Sequence, residues 1–264
     1  MSNRIKKLFA TNKKNLVTFV TGGDPDITTS KEILEVIIKS GADAIEIGMP
    51  FSDPMADGPT IQLSSNRAIK RGVNLDNIFK ISKLIRENNK EIPIVLMGYY
   101  NLILYYGIEN FAKQCSLSGV DGLIIVDLQP EEDPELFNTI QKYSIDLIRL
   151  ITPNTTPERL KIITSHAGGF LYYVTITGIT GQQSADMKQL QTSIERIRKY
   201  SKLPIVAGFG INNKKQVNEI CKITDGVVIG SSIIKLIENN LTEKNKMLKL
   251  IGDFIKDLKD GTNI

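Results

Sequence analysis

Strand-like and helix-like stretches take turns along the whole chain, and this alternation limits the fold more than any other feature. Short apolar, β-branched runs lie at Leu16 to Thr21, Asp43 to Gly48, Ile94 to Gly98, Gly122 to Asp127, Leu147 to Thr152, Phe170 to Thr175, Pro204 to Gly208 and Gly226 to Gly230. Between them the apolar period lengthens to that of a helix at Thr29 to Lys39, Leu75 to Asn88, Ile108 to Cys115, Pro134 to Tyr143, Pro157 to Ser165, Lys188 to Tyr200, Lys214 to Cys221 and Ile233 to Asn239. Strands that alternate with helices pair in parallel through right-handed crossovers, and eight such units close into a (β/α)8 TIM barrel. An open doubly wound sheet is the alternative. At 264 residues the chain has the size of one barrel, typically about 250 residues. No Pro/Ser/Gly-rich linker or low-complexity tract divides it, so residues 1–264 are expected to form a single domain. Two helices are extra to the ring: a short amphipathic one near the N-terminus, and Glu243 to Lys259, whose Leu248, Ile251, Ile255 and Leu258 form one stripe that can dock on the outside.

Several function classes are excluded on composition. Lys+Arg number 33 against 29 Asp+Glu, but the two signs are interspersed, which argues for a solvated surface and against nucleic-acid binding. No run approaches the ~18 apolar residues of a membrane span; the most apolar stretch, Ile92 to Tyr106, is interrupted by Pro93, Gly98 and Asn101. Asn12-Lys13-Lys14-Asn15 interrupts any secretion signal, so a cytoplasmic location is expected. Cys115 and Cys221 lack CxxC spacing and a nearby histidine, and read as buried thiols. The one histidine, His166, follows an expected helix just before Gly168-Gly169, where a cation suits the helix dipole. Acid and base chemistry therefore falls to carboxylates, helped by tyrosine or lysine.

The richest stretch is Asp43 to Pro59. On a strand, Ile45 and Ile47 share one face and Ala44, Glu46 and Gly48 the other, which puts the Glu46 carboxylate where water is scarce. Such a charge costs several kcal/mol unless it is paired, hydrogen-bonded or neutralised. A proline-punctuated loop with Asp53 and Asp57 follows. Barrel chemistry sits at the C-terminal ends of the strands, so Glu46, Asp57, Asp127 and the Tyr172-Tyr173 pair are the candidates there. Glycine-rich turns follow the sixth, seventh and eighth runs: Gly178-Ile179-Thr180-Gly181, Gly208-Phe209-Gly210 and Gly230-Ser231-Ser232. Any one alone is a plain turn; three on consecutive loops point to a phosphate cradle of backbone N–H groups and a helix N-terminus.

Phe51-Ser52-Asp53-Pro54-Met55-Ala56-Asp57-Gly58-Pro59-Thr60-Ile61-Gln62 resembles the signature of the tryptophan synthase alpha-subunit family. Val20-Thr21-Gly22-Gly23-Asp24-Pro25, Gly178-Ile179-Thr180-Gly181 and Ala207-Gly208-Phe209-Gly210-Ile211 also match, in order. The resemblance implies cleavage of indole-3-glycerol phosphate to indole and glyceraldehyde 3-phosphate, with indole passed to a beta subunit in an alpha2-beta2 complex. It implies no cofactor in this chain, pyridoxal phosphate being expected only in the beta subunit. By position the catalytic carboxylates fall on Glu46 and Asp57 and the active-site tyrosine on Tyr172. Phosphate contacts fall on Gly181, Gly210, Gly230 and Ser231, and the indole pocket on Phe19, Met97, Ile124, Leu150 and Thr180. One departure is Gln129, where the family more often has proline.

This retro-aldol step needs a movable proton and a fixed anion. Glu46, on a rigid strand and partly desolvated, is expected to be the general acid and base, and Asp57, on a loop open to solvent, to stay ionised and hold the indole N–H. An internal ion pair for Glu46 and a turn cap for Asp57 are the structural alternatives. Gly178 to Met187 has the composition of a lid. Asp53, Pro54 and the Tyr99-Tyr100-Asn101 turn share the rim, as either partner contacts or core edge. Rival functions are another phosphate-handling isomerase or aldolase, and a non-catalytic activator of a partner; a Schiff-base aldolase would need a lysine projecting from a strand, and no run carries one.

Overall fold

Nine parallel strand segments hydrogen-bond in one continuous order in the computed structural model, which describes residues 2–174, 183–208 and 210–264. They are β1 (Asn15–Thr21), β2 (Ala44–Gly48), β3 (Ile94–Gly98), β4 (Gly122–Ile125), β5 (Asp146–Leu147), β6 (Arg149–Ile151), β7 (Leu171–Val174), β8 (Ile205–Gly208) and β9 (Gly226–Ile229). Their order is β5-β4-β3-β2-β1-β9-β8-β7-β6. The two ends of that order are consecutive pieces of one run, parted at Ile148, whose N–H still reaches the Leu123 carbonyl at 2.8 Å. The sheet therefore closes into an eight-staved (β/α)8 barrel, with the stave expected over Leu147 to Thr152 in two segments.

The helices are α1 (Asn3–Leu8), α2 (Ile27–Lys39), α3 (Pro59–Lys70), α4 (Leu75–Asn88), α5 (Tyr100–Tyr106), α6 (Ile108–Leu117), α7 (Pro134–Lys142), α8 (Pro157–Ser165), α9 (Gln183–Arg198), α10 (Lys214–Cys221), α11 (Ser231–Glu238) and α12 (Lys244–Asp260). Two of them lie where the sequence suggested only loop. α3 buries Ser64, Ser65 and Ala68, small or polar residues that leave no apolar stripe to read. α5 occupies the Tyr99-Tyr100-Asn101 stretch; its opening N–H, on Tyr100, is bonded by the Asp127 carboxylate 2.8 Å away.

Strand alternation splits the interior into two cores. Val17, Phe19, Ala44, Val95, Ile124, Phe170, Val206 and Val228 fill the barrel itself. Leu16, Val20, Ile45 and Ile47 point the other way, onto helix residues such as Ile33, Leu34 and Ile78. α1 plugs the N-terminal mouth: Ile5, Leu8 and Phe9 join the inner core, and Phe9 packs 5.6 Å from Phe170. Polar bonds fasten the plug, from the Ser2 hydroxyl to Asp121 (2.6 Å) and from the Ser2 N–H to Asp146 (2.8 Å). α12 lies against α2, where Gly252 allows close approach to Ser40 and Val36. Cys115 and Cys221 are buried free thiols. His166 caps the C-terminal end of α8, stacks on Phe137 and hydrogen-bonds Asp133 at 3.1 Å, a structural setting away from the barrel mouth.

Candidate active site

Glu46 sits in the middle of β2, between Phe19 of β1 and Val95 of β3 in the sheet register. It shares the inward face with Ala44, so its carboxylate lies inside the barrel and is fully buried. Among the described residues neither of its oxygens has a hydrogen-bond partner, and no cation neutralises it. Burial alone pushes its carboxyl up to about 8. The ion-pair alternative thus has no partner to name among the described residues. Tyr172 of β7 also points inward, and its hydroxyl is raised well above its ordinary value, first by burial and then by the Glu46 charge. That hydroxyl lies over Gly208 of β8: a Cβ there would stand 2.6 Å from it. The glycine gives the tyrosine its room.

Asp57 differs from the sequence expectation. It is half-buried where the loop after β2 turns into α3, and burial raises its carboxyl above the ordinary value, opposed by the Tyr99 hydroxyl. The loop around it is largely exposed, as expected, but Asp57 itself is covered on the side of Tyr99, more than forty residues along the chain. Asp57 lines a small cavity with Phe19, Gly48, Met97, Tyr99 and Val126. Of the expected indole-pocket residues, Phe19, Met97, Ile124 and Leu150 all belong to the inner core, with Met97 and Leu150 only partly buried. Thr180 lies outside the described residues.

The expected phosphate contacts divide in the same way. Gly210, after β8, has φ +63° and open space where a side chain would stand, a backbone conformation suited to glycine. Gly230 caps α11 and Ser231 is its first residue. The Ser232 hydroxyl donates to the Ile211 carbonyl at 2.9 Å, tying the β8 loop to the start of α11. Backbone N–H groups from two adjacent loops are thereby gathered beside a helix N-terminus. Gly181 lies outside the described residues, as does the expected lid as far as Gln182; the rest of that segment, Gln183 to Met187, opens α9.

Tyr99 is the site residue that sequence reading missed. It is 3% exposed, stacks on Phe51 with centroids 5.1 Å apart, and accepts the Ala56 N–H at 3.0 Å. An aromatic residue directly after a strand run is the signal that was available, but it does not distinguish a core edge from a site wall. Gln129 begins a short 3-10 turn (Pro130–Glu132), and the Arg159 guanidinium bonds both Gln129 and Glu131. That bracing holds the loop where position 129 is not proline. A cavity of about 470 Å³ opens at the opposite end of the barrel, lined by Lys13, Lys14, Lys202 and Asp225, residues that precede strands. It is remote from both carboxylates. Among the described residues no helix is long and apolar enough to cross a membrane, and no cluster of His, Cys, Asp and Glu could hold a metal ion.

A closed (β/α)8 barrel with one dry carboxylate inside it and a second at its C-terminal rim is a barrel equipped for acid–base chemistry. The family model for the tryptophan synthase alpha chain matches residues 5–263. The tryptophan synthase alpha chain of Petrotoga mobilis is 45% identical over 257 residues, covering 97% of this chain and 99% of its own length. That of Geobacter sp. (strain M21) is 43% identical over 261 residues, covering 99% and 97%. Among solved structures, tryptophan synthase subunit alpha from Legionella pneumophila superposes with a TM-score of 0.91 at 34% identity, covering 100% of this chain and 99% of that one. Tryptophan synthase from M. tuberculosis superposes at 0.88 with 28% identity, covering 99% of each chain. The chain belongs to the tryptophan synthase alpha-chain family, lyases that cleave indole-3-glycerol phosphate to indole in tryptophan biosynthesis and work with a beta subunit.

Proposed function

We propose that Glu46 moves the protons and Asp57 holds the indole ring while this chain cleaves indole-3-glycerol phosphate. The observation that carries the reading is the unpartnered Glu46 carboxyl inside the barrel, with its pKa near 8. At pH 7 such a group is about nine-tenths protonated. It can give its proton to indole C3, and positive charge then develops on the ring nitrogen, whose N–H the Asp57 carboxylate accepts. The Glu46 carboxylate left behind takes the proton of the side-chain hydroxyl. The C3–carbon bond breaks, its electron pair restores the indole ring, and the aldehyde of glyceraldehyde 3-phosphate forms. One proton is given and one recovered. Tyr172 and the apolar wall of Phe19, Met97, Ile124 and Leu150 would hold the ring, completed by Thr180. Gly210, Gly230 and Ser231, with Gly181, would bind the phosphate.

These steps use side chains only, and pyridoxal phosphate is assigned to the beta subunit. Docking of that subunit, in an alpha2-beta2 complex, fits the exposed apolar side chains after β2 and β3: Met55 is 86% exposed, Tyr105 93% and Leu104 54%. A cytoplasmic setting suits the two buried free thiols. Incubation with indole-3-glycerol phosphate, with and without a beta subunit, tests the reading. Indole release that Glu46→Gln lowers at least ~100-fold supports it. A beta subunit activated without indole release would point to a non-catalytic activator, and no indole under either condition to another phosphate-handling barrel.

A further inference from the structure

We infer that Asp127 and Tyr99 form a positioning relay that fixes the Asp57 carboxylate, joining the loops after three neighbouring strands. The inference rests on the reading of Asp57 given above.

Tyr99 ends the β3 loop and stands at the N-cap of α5, where its own side chain makes no capping bond. The cap comes from across the rim: the Asp127 carboxylate, just past β4, accepts the Tyr100 N–H at 2.8 Å. An N-terminal helix N–H has no partner within the helix, and a carboxylate there also suits the positive end of the dipole. Asp127 therefore sets where α5 begins, and with it the ring of Tyr99. That ring is held on its face by Phe51, at 5.1 Å and 29°, in the loop after β2.

At its tip, the Tyr99 oxygen accepts the Ala56 N–H at 3.0 Å. Its own proton stays available, and the carboxylate it faces is that of the next residue, Asp57. One hydroxyl thus holds the backbone of the loop and faces its acidic side chain across the cavity that both residues line. The Gln62 side chain holds the Asp57 carbonyl at 2.8 Å from the other side. Burial, reinforced by Asp57 and Asp127, keeps the hydroxyl protonated by pushing it up to about 12. The groups bearing on Asp57 are then Tyr99 from the β3 loop, Asp127 beyond it at the end of β4, and exposed Asp53 in its own loop, with Glu46 of β2 and Tyr172 of β7 deeper in the barrel. Among the described residues, the Tyr99 hydroxyl is the group that favours the ionised form of Asp57.

The test is indole release by the chain without a beta subunit, measured across pH. Tyr99→Phe keeps the ring on Phe51 and removes only the hydroxyl. The expected result is kcat/KM lowered roughly tenfold or more at pH 7, as for loss of a hydrogen bond to a charged group, with the acid limb of the profile moved to higher pH. In an Asp57→Asn background the same change should add little. Asp127→Ala should lower turnover in the same assay, and Asp127→Asn, whose amide oxygen can accept the Tyr100 N–H, should restore most of it. A Tyr99→Phe profile that keeps its acid limb, or effects additive with Asp57→Asn, would overturn the relay. So would an Asp127→Ala defect seen only with the beta subunit, which would make Asp127 a partner contact. Normal turnover in Asp57→Asn itself would instead overturn the role of Asp57.

Discussion

Glu46→Gln should make the protein more stable while lowering its turnover at least ~100-fold. Glu46 is fully buried and without a hydrogen-bond partner among the described residues, and its carboxyl titrates near 8 against an ordinary value of 4.5. Between those two pH values the unfolded chain is ionised at this position and the folded chain is not, so the native state binds the extra proton. Stability therefore falls as pH rises, by up to ~1.4 kcal/mol per pH unit, and levels off above about pH 8. At pH 7 the accumulated cost is about 3 kcal/mol, and at pH 5 under about 1 kcal/mol. Glutamine has nearly the same shape and carries no charge, so the variant escapes that cost. For a chain of this size about 3 kcal/mol corresponds to roughly 6 °C in melting midpoint. Thermal or urea melts of the two proteins at pH 5, 6, 7 and 8 read the difference directly. A gap that opens steadily over this range is expected; a gap independent of pH, or a less stable Gln variant at pH 7, would refute the dry, unpaired carboxylate.

Other outcomes follow from the same geometry. Gly208→Ala places a methyl 2.6 Å from the Tyr172 hydroxyl, so the ring must shift; overpacking of this kind costs about 1–3 kcal/mol, and indole release should fall more than stability does. Arg67→Ala strips both 2.8 Å bonds from the buried Asp24 carboxylate. Leaving that charge unpaired should cost about 3–5 kcal/mol in urea unfolding at pH 7, and Asp24→Asn in the same chain should recover part of it. Tyr105→Asp alters a residue exposed in this chain, so co-purification with the beta subunit should weaken while the unassisted rate is kept.

Whatever depends on neighbours along the chain could be read from the sequence. The alternation of Ile45 and Ile47 with Ala44, Glu46 and Gly48 already implied that Glu46 points into the ring, because strand period is a local property. The runs at Ile94 to Gly98, Leu75 to Asn88, Pro157 to Ser165 and Lys214 to Cys221 form elements with those same boundaries. What could not be read depends on partners far along the chain. α3 shows no apolar stripe, because its buried face is built from Ser64, Ser65 and Ala68, with the Ser64 hydroxyl on Thr21 at 2.5 Å. α5 opens where Asp127 supplies its cap, and the break at Ile148 arises where one stave changes neighbours from β4 to β7. The shielding of Asp57 by Tyr99 is of the same kind, since nothing in the Asp53 to Pro59 sequence carries it.

The measurement closest to the central claim is a direct titration of the Glu46 carboxyl. Difference infrared or carbon-labelled NMR spectra of the protein against Glu46→Gln, taken from pH 4 to 10, isolate this one group. The predicted result is a protonated carboxyl at neutral pH that ionises with a midpoint near 8. A carboxyl already ionised by pH 6 would contradict the account, since Glu46 would then have no proton to give to the ring at neutral pH.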